Sequence, residues 1–261
     1  MTQTTQLTVN EAGAGRPVLI LHGGGGPATV AGIAAHLSGG EPPAARTLTP
    51  THPGWDGTPR PAWCTGIGAL ASGYLRLLAE RGLRDVVVVG SSLGGWTAAE
   101  MAARDSAGLV GGLVLIDAVG IHVDGEPVAD FFGMDPRTAA AHSWHDPDRF
   151  FADPAALPAA QRAVRAGNQA ATQALTGDPA MADPGLRDRL AAVDLPVLVL
   201  WGASDRVVTP VYGAAYARAF PRARFQLVAD AGHLPHIEQP AVTFGLLDAY
   251  LAGLGSDLPA R

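Results

Sequence analysis

The chain of 261 residues has one cysteine, Cys64. No disulfide can form within it, which fits a reducing compartment, and a cytoplasmic location is expected. Its longest clean apolar runs are strand-sized, far short of the ~20 residues that a membrane span needs. The opening MTQTTQLTVNEAGAG has no basic n-region and no apolar h-region, so no secretion signal is expected. Charge is scarce: Lys+Arg 18 and Asp+Glu 24 leave the chain at −6 with no basic run. That balance argues against nucleic acid as a partner, and none is expected, nor a membrane. The histidines are scattered, without HExxH or zinc-like spacing, so no metal and no cofactor is expected. Glycine and proline are plentiful (33 and 21) but follow no period, which excludes a collagen-like repeat and leaves many turns.

With 48% hydrophobic residues the chain is a packed globular protein, large enough for one α/β domain with a small insert. RPVLILHG (16–23), ARTLTPTHPGW (45–55), DVVVVG (85–90), GGLVLIDAVG (111–120), VDLPVLVLWG (193–202) and ARFQLVADAGH (223–233) read as strands. Between them lie helical patterns over 28–38, 62–82, 93–104, 210–219 and 241–254. Strands alternating with helices imply crossovers and a mostly parallel sheet covered on both faces. Residues 121–192 break the series. They carry no continuous apolar strand and read as a helical insert.

In such a sheet, ligands gather beyond the carboxyl ends of the strands. There the chain places His22 to Gly26, His52 to Trp55, Gly90 to Gly94, Asp117, Asp205 and His233. Gly90-Ser91-Ser92-Leu93-Gly94 is a G-x-S-x-G between a strand and a helix. Glycines let the chains pass at a sharp turn, and the central residue, Ser92, is the candidate nucleophile. The alternative makes Ser91 and Ser92 mere helix caps. A serine needs a base, and ADAGHLPHIEQP offers His233, with His236 as the rival. The base needs a carboxylate. Asp205 follows a strand 28 residues before His233, and Asp117 and Asp230 are its rivals. A developing oxyanion needs two N–H donors. Leu93, next after the serine, supplies one, and Gly24 or Gly25 the other. A phosphate cradle is the competing reading of His22 to Pro27, but no Lys-Ser/Thr follows the glycines.

The set LHGGGGP, HPGWDGTPRP, GSSLGGW, LWGASDRVV and AGHLPHIE resembles the α/β-hydrolase fold superfamily over most of 16–254. The resemblance implies an α/β fold with an eight-stranded, mostly parallel sheet that starts with a short strand near 5–10. It implies a core domain of 1–120 and 193–261 and a helical cap of 121–192. It also implies that His22 braces its loop and that Trp55 lines the pocket or packs. The activity expected is hydrolysis of a carboxylic ester or lactone through an acyl-enzyme, on a small apolar substrate. A serine nucleophile, and no tyrosine in 121–192, disfavour epoxide hydrolases and dehalogenases. A carbon–carbon bond hydrolase of ring-cleavage products is the alternative. In that group Pro comes earlier in the glycine loop and Trp tends to follow the histidine, where this chain has Pro27 and Leu234. A non-catalytic binding module is the remaining alternative. Phe131, Phe132, Trp144, Phe150 and Phe151 suggest an apolar acyl or aryl group, and Arg162 and Arg165 a solvated face or a carboxylate clamp. The oligomeric state is not readable.

Overall fold

A computed structural model describes residues 7–41, 43–177 and 181–256. Seven strands form one sheet: β1 (Val9–Gly13), β2 (Pro17–Leu21), β3 (Arg46–Pro50), β4 (Val86–Ser91), β5 (Val110–Ile116), β6 (Val197–Gly202) and β7 (Ala223–Val228). Their order is β1-β3-β2-β4-β5-β6-β7, with β1 antiparallel to β3 and every other pair parallel. The eight strands expected are thus seven among the described residues. Leu7 and Thr8 lie outside any strand, and residues 5 and 6 are outside the described range.

Side chains alternate across the strands, which divides the core in two. Leu19, Leu21, Val86, Val88, Leu113 and Leu115 face one layer, packed by α2 (Ile67–Glu80), α3 (Leu93–Arg104) and α8 (Pro210–Arg218). Val18, Ile20, Val87, Val89, Val114 and Ile116 face the other, covered by α1 (Ala31–Ser38) and α10 (Pro240–Ser256). Burial on both faces is why these strands read as unbroken apolar runs. Each such side chain contributes about 1.5–3 kcal/mol.

Several strands are shorter than the runs that announced them, β5 and β7 at their carboxyl ends. The run 111–120 leaves the sheet at Asp117, whose φ is 45. The last ends at Val228, five residues before His233. Gly82, at φ 63, follows the end of α2, which buries Tyr74, Leu77 and Leu78.

Between β5 and β6 the chain is helical: α4 (Pro136–Ser143), α5 (Pro147–Phe150), α6 (Ala159–Thr176) and α7 (Leu186–Leu190). In α6 only Asn168, Ala171, Thr172 and Leu175 are buried, one stripe at three- and four-residue spacing. Arg162 and Arg165 lie on its solvated side. Trp144 and Phe150 stack at 5.1 Å and are only half-buried, and Phe131 is exposed, so these aromatics do not fill a core. Helix α9 (Pro235–Glu238) follows β7. No described helix is long and apolar enough to cross a membrane.

Leu19 lies mid-strand in β2 with no exposed surface. Leu19→Ala should lower the unfolding free energy by about 2–5 kcal/mol, measured by urea denaturation with an unchanged m-value.

Candidate active site

Strand β4 delivers Ser91 and Ser92 to different fates. Ser91 is the last strand residue and is buried. Ser92 sits at the N-cap of α3 with φ 54 and ψ −117, and its side chain makes no capping bond. Such an angle costs about 1–3 kcal/mol for a non-glycine residue and persists only when its surroundings enforce it. The surroundings are backbone. A Cβ on Gly90 would strike the carbonyl of Gly94, and a Cβ on Gly94 would strike that of Leu21. The Ser92 amide donates to Ile116 O at 2.9 Å, which pins the turn to β5. The freed hydroxyl donates to His233 Nε2 at 2.9 Å.

His233 is buried, and its Nδ1–H donates to Asp205 Oδ2 at 2.8 Å. Asp205 Oδ1 accepts from the amides of Val207 and Val208, at 2.8 and 3.2 Å. That fixes the carboxylate, and the carboxylate fixes the imidazole tautomer. The three residues are therefore joined by hydrogen bonds in one line. Asp117 lies beside them: one oxygen of Asp117, one of Asp205 and a ring nitrogen of His233 fall within 4.8 Å of one another. In the hydrogen-bonded arrangement Nδ1 carries the proton shared with Asp205, so a cation bound through that nitrogen would have to displace it.

Of the rival carboxylates, Asp230 faces His145 at 3.7 Å, and Asp117, although beside the line, makes no bond to His233. His236, the rival base, does not reach the serine. It is buried, its Nε2–H donates to Thr29 O at 3.0 Å, and burial pulls it down to about 4.

Gly23 abuts the serine: a Cβ there would lie 3.0 Å from Ser92 Cβ. A Cβ on Gly24 would instead meet Thr172 Oγ1 of α6 at 3.1 Å, and one on Gly25 would turn back onto Thr29. The loop is held by side chains. Trp55, fully buried, donates from Nε1 to Gly24 O at 2.9 Å, so it packs and braces. His22 Nε2 accepts the His52 amide at 3.0 Å, which leaves Nδ1–H to donate to Gly23 O at 2.7 Å. His52 Nε2–H donates to His22 O at 2.8 Å, so its Nδ1 accepts from Tyr74 Oη at 2.5 Å. Burial keeps both rings neutral, His22 at about 4 and His52 well below its usual range.

Three supports had no sequence signal strong enough to find them. Glu238, buried, accepts the amides of Gly232 (2.6 Å), His145 (3.0 Å) and Asp146 (3.2 Å), tying the histidine loop to the helical segment. The His233 amide donates to Ser143 O at 2.7 Å, the last residue of α4. Asn168 of α6 pairs with Asp56 twice, accepting its amide at 2.8 Å and donating to Oδ1 at 2.9 Å. Only Asn168 had a faint signal, as a polar residue on the buried stripe of α6.

The profile of the alpha/beta hydrolase family matches residues 18–246, and the chain belongs to that family. An uncharacterised protein of Mycobacterium tuberculosis is 26% identical over 92% of this chain and 76% of its own length. Among solved structures, the meta-cleavage product hydrolase of Pseudomonas fluorescens superposes with a TM-score of 0.78 at 20% identity, covering 95% of this chain and 94% of that one. A thermophilic esterase from Thermogutta terrifontis gives 0.74 at 23%, over 95% and 93%. At these identities the two structures share the fold, and their chemistry is their own.

The buried neutral histidines make stability depend on pH. Unfolded, His22, His52 and His236 would each bind a proton below an ordinary value near 6.5; folded, His22 and His236 do so only near 4. Asp117, raised by burial, works in the opposite sense, because the folded state holds its proton where the unfolded state does not. Three protons against one leave the unfolded state ahead by about two, so stability falls as pH drops from 6.5 towards 4.5. Urea midpoints across that range should decline, and His236→Gln should flatten the slope by about one proton.

Proposed function

We propose that this hydrolase cleaves a carboxylic ester or lactone through an acyl-enzyme. The observation that carries the reading is the unbroken line Ser92 Oγ, His233 Nε2, His233 Nδ1, Asp205 Oδ2, at 2.9 and 2.8 Å. Ser92 Oγ attacks the carbonyl carbon while His233 Nε2 takes its proton. Asp205 stabilises the imidazolium without itself being protonated. The amides of Leu93, at the start of α3, and of Gly24 take the oxyanion. Leu93 is free of an intrahelical acceptor by position, and Gly24 follows the glycine that abuts Ser92. Each donor is worth about 3 kcal/mol in the transition state. The leaving oxygen collects the proton from Nε2. Water then repeats the sequence on the acyl-enzyme and releases the acid.

Residues 1–120 and 193–261 form the core in this reading. Residues 121–192 act as a cap, because α6 rests on Gly24 and Asp56 while α4 holds the His233 amide. The substrate is a small molecule with an apolar acyl or aryl part, and neither metal nor cofactor takes part. A cytoplasmic location fits the single buried thiol. Carbon–carbon bond cleavage would use the same triad. Pro27 and Leu234 set the chain apart from that pattern, and no residue of the site favours it.

A panel of p-nitrophenyl esters, lactones and a dienoic ring-cleavage product decides between these reactions. Turnover of esters or lactones is expected, lost in Ser92→Ala and retained in Ser91→Ala; preference for the dienoic acid would favour the carbon–carbon reaction. Asp205→Asn should lower kcat by up to about 10⁴. Incubation with EDTA should leave the rate unchanged.

A further inference from the structure

Asp117 is the one ionisable group at the triad to which the acyl-transfer reading gives no task. Its carboxyl is completely buried after β5. Oδ1 accepts the Gly202 amide at 2.9 Å. Oδ2 is buried too, and no N–H or hydroxyl donor reaches it. What it faces is the carboxylate of Asp205, with the His233 ring close by and the Glu238 charge beyond. No arginine or lysine stands among the groups that act on it. Two buried carboxylates side by side, with one imidazole next to them and no fixed cation, repel strongly. A buried polar atom left without a partner is itself costly. One proton removes both penalties. The ionised member must be Asp205, since it receives three N–H donors while Asp117 receives one. Burial, followed by the neighbouring Asp205 charge, pushes Asp117 well above the usual carboxylate range.

We propose that Asp117 is a neutral acid that donates a hydrogen bond from Oδ2 to the Asp205 carboxylate, a positioning residue that aims Asp205 at His233. The proposal rests on the triad reading and adds a fourth member to its line. The neutral donor withdraws charge from Asp205, so it also restrains the proton affinity of the imidazole. A buried carboxylic acid kept protonated to donate a hydrogen bond has precedent in other enzymes.

Asp117→Asn preserves both roles, an oxygen for Gly202 and an N–H for Asp205, and asparagine suits the left-handed backbone at φ 45. Asp117→Ala removes the donor. The readouts are the His233 ring titration by NMR and the carboxylic-acid C=O band in the infrared at neutral pH, neither of which needs a substrate. The wild type should show the acid band and Asp117→Asn should lack it, with the His233 midpoint unmoved. In Asp117→Ala the midpoint should rise by about 0.5–1 unit, and kcat should fall with KM unchanged. A midpoint that drops in Asp117→Asn would mean that a negative charge had been removed, and would overturn the proposal. So would a wild type without the acid band, or a midpoint unmoved in Asp117→Ala. Activity that survives Asp205→Asn and vanishes on adding Asp117→Asn would instead make Asp117 the orienting acid. Failure of the serine mechanism itself would appear separately, as turnover surviving Ser92→Ala.

Discussion

The turn from β4 into α3 is the constraint on which the rest of this molecule depends. Two backbone approaches, Gly90 against Gly94 and Gly94 against Leu21, leave no room for a Cβ and force Ser92 to φ 54. The strain is offset by the sheet, since β4 is buried along its whole length and paired on both sides. A side chain held this way cannot cap its own helix. Its hydroxyl donates instead to His233 Nε2. The same turn aims the start of α3 at the site, where the helix dipole favours a developing anion.

Around that turn the fold holds one loop with neutral polar groups and the other with a buried carboxylate. His22, His52, Tyr74 and Trp55 clasp the glycine loop by hydrogen bonds whose donors and acceptors are all matched. The histidine loop is gripped from the other side by Glu238 and by the carbonyl of Ser143. Because α4 supplies the Ser143 carbonyl and α6 the Asn168 amide that reaches Gly25 O, the helical segment is tied to both loops, and its loss would loosen His233.

How legible this was in the chain depended on whether the signal was local. The alternating layers, the sharp turn at Ser92 and the placement of Asp205 and His233 followed from runs and short motifs, because backbone geometry demands those residues at those spacings. The eighth strand came from the resemblance and not from the residues, and the edge strand β1 left only a weak signal, since it is short, largely exposed and carries only Val9 and Ala12 as apolar residues. The ends of β5 and β7 were overrun because Ala118, Val119 and Ala231 are buried outside the sheet and look like strand in sequence. The bonds of Glu238 to His145 and of Asn168 to Asp56 join residues 93 and 112 apart. Contacts of that range leave no pattern in a single sequence. Asp117 was visible as a rival to Asp205, and its burial beside Asp205 emerged only from the folded chain.

The central claim is that the strained serine is the atom that bonds covalently to substrate. Peptide mapping by mass spectrometry, after reaction with a phosphonate ester, tests it most directly. One adduct per chain, on Ser92, and none in His233→Ala is the predicted result. An adduct on Ser91 or another residue, or full esterase activity in a chain whose Ser92 is blocked, would contradict it.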